Sequence, residues 1–146
     1  MPGPSAATPI IWGDSVFVPT ADTSSKTLLA YCIDRKTGKV RWQNKVAEGL
    51  RRDEKSNFAS PSPATDGERV IFFYGNGAMA AFDFSGKELW SRNIEKDYGA
   101  FAFQWTFSTS PVLYGGKLYL QVLQRDVPAN GRGRTDGPIE SYLLEM

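Results

Sequence analysis

The chain has 146 residues, 41% of them hydrophobic and 23% charged, a globular balance that excludes collagen-like, disordered and membrane-spanning classes. Seventeen Lys and Arg against 16 Asp and Glu leave a net charge of +1, too little field to gather nucleic acid or anionic lipid. With no His and one Cys, Cys32, the chain supplies no Ser-His-Asp triad, Cys-His pair, His-containing zinc site or internal disulfide.

Taken in chain order, the first predicted strand is the small-residue run Ala6–Ile11, closed by Gly13-Asp14, a pair suited to a two-residue hairpin. The second is the apolar run Val16–Val18, which lacks the alternation of a sheet wet on one side and so expects cover on both faces. Leu28–Ile33 forms the third, and Asp34 and Gly38 turn the chain into a fourth. There Val40, Trp42 and Val46 alternate with Arg41, Gln43 and Lys45, the pattern of an outer edge strand.

The plan then repeats. Pro9, Pro63 and Pro111 open aligned segments 54 and then 48 residues apart, each followed by Gly-Asp, Asp-Gly or Gly-Gly. Val70–Tyr74 and Leu118–Leu123 are the second strands of the later units, and Ala78–Phe82 and Ser141–Leu144 are third strands. Asp83, Gly86 and Trp90 reproduce Asp34, Gly38 and Trp42, with one residue fewer in the turn, and Glu88–Ile94 is the second unit's fourth strand. A period near 50 means stacked supersecondary units. Doubly buried inner strands with a polar outer strand predict an all-β partial β-propeller of antiparallel four-stranded blades. Its blades span about residues 5–47, 59–95 and, incomplete, 107–146. Proline cannot donate to a ladder, so the first strand of each blade lines the axis. The third blade stops short of its turn and its Trp-bearing strand, so the chain reads as a piece of a longer one. Its first residues, Met1-Pro-Gly-Pro-Ser-Ala-Ala, carry no signal-peptide pattern, which places any export signal outside it.

Strand parity puts the long connections, 47–59, 95–107 and 125–140, on one face, and long loops on a rigid scaffold carry binding. Tyr98, Gln104, Trp105 and Arg125 are the candidate binding residues. Trp105 and Tyr98 either stand out to stack a ring or anchor a peptide, or fold down with their neighbours as a plug over the hub, the commoner fate of large apolar groups. Arg125, Arg132 and Arg134 either hold an anion or pair with Asp126, Asp136 and Glu140. The mixed-charge run Glu48–Lys55 reads as a solvated loop. No two carboxylates share a site at the spacing acid-base catalysis needs, and no loop resembles a calcium loop. No catalytic or metal-binding residue is assigned.

The run Ala30-Tyr-Cys-Ile-Asp-Arg-Lys-Thr-Gly-Lys-Val-Arg-Trp42 resembles the tryptophan-docking repeat of the pyrroloquinoline-quinone-like propeller superfamily. Asn57-Phe-Ala-Ser-Pro-Ser-Pro63 and Asp136-Gly-Pro138 are similar to segments of its exported bacterial members. The resemblance implies structural roles for Asp34, Gly38, Trp42, Asp83, Gly86 and Trp90, with each Trp docked on the neighbouring blade. It also implies a periplasmic or cell-surface setting. Its members include quinoprotein dehydrogenases and an assembly lipoprotein. The chain is therefore expected to be a non-catalytic scaffold or binding segment, contacting a protein, peptide or glycan and the remaining blades of its parent. The alternative is a fragment of a quinone-dependent dehydrogenase. Neither quinone nor calcium is expected within this chain, only in the parent, and the adjacent Cys-Cys pair that resembles a dehydrogenase hallmark is missing, since Cys32 stands alone.

Overall fold

Each repeat folds as its own antiparallel sheet. In the computed structural model, which describes residues 2–51 and 56–146, the first sheet comprises β1 (Ile10–Trp12), β2 (Ser15–Asp22), β3 (Thr27–Asp34) and β4 (Val40–Glu48) in spatial order. The second comprises β5 (Ala64–Thr65), β6 (Arg69–Phe73), β7 (Ala78–Asp83) and β8 (Glu88–Asn93) in the same order. After a short helix, α1 (Ile94–Tyr98), the third sheet has three strands, β9 (Val112–Tyr114), β10 (Lys117–Val122) and β11 (Tyr142–Glu145). Three side-by-side sheets that do not close form a partial β-propeller. Residues 52–55 of the mixed-charge run lie outside the described residues.

The innermost strands β1, β5 and β9 are each an edge of their sheet, and each follows its proline, so no ladder bond is lost. They stand next to one another, stitched by a repeated bond. Thr8 N–H donates to Ser62 Oγ at 2.9 Å, and Ser62 N–H donates to Ser110 Oγ at 2.9 Å.

Between the first two sheets lies one core, built on Phe17, Leu28, Cys32, Val70, Phe72 and Phe82. Between the second and third lies another, built on Ile71, Phe73, Met79, Leu118, Leu120 and Val122. Neighbouring residues of β6 thus point into different cores, which is why Val70–Phe73 is apolar throughout. In β10 the expectation of cover on both faces fails. Leu118, Leu120 and Val122 are buried, whereas Lys117 and Gln121 are exposed, because this strand has a neighbouring sheet on one side only. On that open side Val112, Tyr114 and Leu143 are 57%, 78% and 66% exposed.

Two further details differ from the sequence reading. The hairpins at Gly13-Asp14 and Gly115-Gly116 are two-residue turns, with Trp12 opposite Ser15 and Tyr114 opposite Lys117. The Asp66-Gly67 turn is wider, its ladder ending at Thr65 opposite Val70, because the Asp66 carboxylate accepts from the Glu68 and Arg69 amides and holds both in the turn. The second unit's outer strand stops at Asn93, where the Asn93 side chain accepts from Lys96 N–H and starts α1 in place of an irregular loop.

Candidate functional site

The six repeat residues occupy matching positions in two sheets. Trp42 lies opposite Cys32 and Trp90 opposite Ala81, and in both sheets a β-bulge follows at the next ladder step. The Trp42 indole N–H reaches across to the carbonyl of Phe84 at 3.0 Å, and Asn44 Nδ2 donates to the carbonyl of Gly86 at 2.7 Å. Its ring lies among Phe17, Phe72 and Phe82, with centroids 6.0, 6.3 and 5.6 Å away. Gly86 has φ +92°, and a Cβ there would stand 2.7 Å from the Trp42 ring, so both the turn and the docked indole require glycine. Trp90 instead borders an open cleft of about 410 Å³ with Ile71, Leu113, Leu118 and Met146.

Asp34 accepts from the amides of Lys36 and Thr37 and pairs with Arg41, which holds its carboxyl far below the usual carboxylate range. Asp83 is lowered more mildly, by the Ser85 hydroxyl and the Lys87 amide. Gly38 carries φ +69° at the same turn. Cys32 is buried, and burial pushes its thiol pKa up, so it packs as a small apolar group.

The aromatic connection between α1 and β9 divides. Phe101 and Phe107 fold down into the second core, 3% exposed each, with centroids 4.5 Å apart. Trp105 does not join them. It is 59% exposed and rests edge-on against Phe103 at 6.1 Å and 73°. The phenylalanines thus pack into the core between the second and third sheets, whereas the carbonyls at 104 and 105 are bonded by groups of other connections. The carbonyl of Gln104 accepts from Arg51 Nη2 at 3.1 Å and from Arg132 Nη2, and the carbonyl of Trp105 accepts from Arg132 Nη1 at 2.9 Å. Arg125 Nη1 donates to Gln104 Oε1 at 2.9 Å.

So Gln104, Trp105 and Arg125 meet, and all three long connections contribute to one corner through Arg51, residues 103–105, Arg125 and Arg132. Tyr98 is placed elsewhere. It is 46% exposed, packs on Tyr142 at 5.9 Å and lies under the Arg92 guanidinium at 5.7 Å. Arg134 pairs with Asp136, the bland alternative, whereas Arg125 bonds the neutral side-chain oxygen of Gln104. Arg51 was not singled out by sequence, since nothing local shows that two loops about fifty residues apart touch.

A family model described as "Outer membrane protein assembly factor BamB" matches residues 1–130. The chain belongs to this family. Among solved structures it is similar to the quinohemoprotein alcohol dehydrogenase of Comamonas testosteroni, at 18% identity and TM-score 0.55, covering 82% of this chain and 17% of that one. BamB from Moraxella catarrhalis is similar at 22% identity and TM-score 0.52, covering 80% of this chain and 30% of that one. A europium-containing methanol dehydrogenase is similar at 17% identity and TM-score 0.55, covering 80% and 20%. These identities show a shared fold, and the chain spans less than a third of each structure. No curated protein matches it.

A metal such as the europium of that methanol dehydrogenase asks for several converging oxygen ligands. Among the described residues no three His, Cys, Asp or Glu groups converge as a metal would need, and the carboxylates of Asp34, Asp83 and Asp66 are each occupied by turn amides. The donor set does not fit. No helix among the described residues is long and apolar enough to cross a membrane.

Proposed function

We propose that this chain is a non-catalytic scaffold and binding segment of an exported bacterial propeller, with the corner around Trp105 as its contact point for a protein, peptide or glycan. The observation that carries this reading is the exposed Trp105 set on a backbone whose carbonyls are held by Arg51 and Arg132. A large aromatic group presented to solvent on a bonded backbone offers much apolar area to a partner, and tryptophan is a frequent hot spot at interfaces. Membership of the BamB family supports a protein partner and a periplasmic or outer-membrane setting. The exposed Val112, Tyr114 and Leu143 face supports contact with further blades of a parent chain.

Thermal melts of Trp105→Ala, paired with affinity capture of partners from a periplasmic extract, test this. Unchanged stability with loss of a captured partner is expected. A large fall in melting temperature would make Trp105 a core residue and end the reading.

The second reading, a fragment of a quinoprotein dehydrogenase, draws on the shared fold. Titrating the longer parent with pyrroloquinoline quinone and calcium discriminates the two. Quinone binding with dye reduction on simple alcohols would favour the enzyme.

A further inference from the structure

The corner around Trp105 also carries information about the chemistry of its partner. Beside the exposed indole lies a pocket of about 90 Å³, lined by Phe58, Phe101, Phe103, Trp105 and Phe107 together with Gly75 and the polar Asn76. That is smaller than the roughly 150 Å³ that holds a benzene molecule, so it takes one aliphatic side chain and no sugar ring. Its rim is basic. The guanidinium groups of Arg51, Arg125 and Arg132 all lie within hydrogen-bond distance of residue 104. Glu95, the acidic lining residue among those described, turns its carboxylate onto the Phe101 amide at 2.8 Å. Among the described residues the Arg125 guanidinium touches only the neutral Gln104 amide oxygen and is otherwise in solvent. A planar guanidinium fork beside an apolar socket suits a carboxylate next to an aliphatic side chain.

We infer that the corner receives an acidic peptide segment, an aliphatic residue entering the phenylalanine-lined pocket against Trp105 while a neighbouring Asp or Glu replaces Gln104 on Arg125. This rests on the binding-face reading above and adds the class of partner. The pocket opens beside loops, not along a free strand edge, so selectivity comes from side chains and from charge.

Fluorescence anisotropy on the full 146-residue chain, with a fluorescein-labelled peptide of alternating Glu and Leu, tests it against Gln-Leu and Lys-Leu counterparts. Saturable binding of the acidic peptide in the micromolar range is expected. It should weaken about tenfold in Arg125→Gln and in Trp105→Ala, in keeping with the loss of one charged contact or one aromatic anchor, and fall with added salt. Circular dichroism of both variants checks that each remains folded. Equal binding to parent and Arg125→Gln, or no binding of the acidic peptide, overturns the inference. If the Gln-Leu peptide binds equally well and is lost only in Trp105→Ala, the acidic assignment fails while the binding face survives. If Trp105→Ala unfolds the chain, both fail.

Discussion

At the residue scale, Trp42 is the side chain on which most depends. Its ring touches aromatic groups of both sheets and its N–H satisfies a carbonyl of the neighbour, so removal opens a cavity and strands an acceptor together. Trp42→Ala is expected to cost about 3–5 kcal/mol in urea denaturation, and Trp42→Phe only the hydrogen bond and part of the packing. Gly86→Ala attacks the same contact from the other side, so the two losses should be less than additive. Asp34 makes a pH-dependent contribution. Its folded pKa lies below the unfolded value because Arg41 and turn amides favour the carboxylate. That contribution is present above about pH 4, near the unfolded pKa, and is lost progressively as the pH falls below it. Urea midpoints between pH 7 and pH 2 should decline less steeply for Asp34→Asn than for the parent.

At the element scale, the sheets are joined at two margins. The inner margin is the serine ladder, in which Ser62 both accepts from Thr8 and donates to Ser110. Ser62→Ala removes the acceptor for Thr8 and should cost about 0.5–1.5 kcal/mol, with faster hydrogen exchange at the Thr8 amide. Unchanged exchange would show that the strands hold together without the hydroxyl. Ser62 and Ser110 precede Pro63 and Pro111, as Thr8 precedes Pro9, so the signal was present in the sequence at the same 54 and 48 spacing. The sequence alone does not assign it a role, because the prolines explain the absent donors and leave the adjacent hydroxyls without an obvious task. The helix start at Asn93 was legible in principle too, as an N-cap residue, but the strand period of the preceding repeat overrode it.

At the scale of the whole molecule, three consecutive sheets, their strand order and the register of both tryptophans were legible because repeat spacing is a property of the sequence itself. The assembly of the Trp105 corner was not. It depends on Arg51, Arg125 and Arg132 arriving from separate connections at one carbonyl-rich point, and no local pattern encodes that meeting. The open face of the third sheet gives a further expectation. Val112, Tyr114, Leu123 and Leu143 form an apolar surface. The isolated chain should bind a hydrophobic dye there and self-associate with concentration. Sedimentation velocity on a Tyr114→Lys, Leu143→Lys double variant should show the association reduced, and identical profiles for parent and variant would contradict the role of this face.

Fastening at both margins has a mechanical consequence. With Thr8 held to Ser62 near the axis and Trp42 held to Phe84 at the rim, the first two sheets cannot swing open about either margin without breaking the bond at the other. Widening the gap between these two sheets therefore carries the cost of a hydrogen bond, which makes their separation a rare excursion and not a free hinge motion.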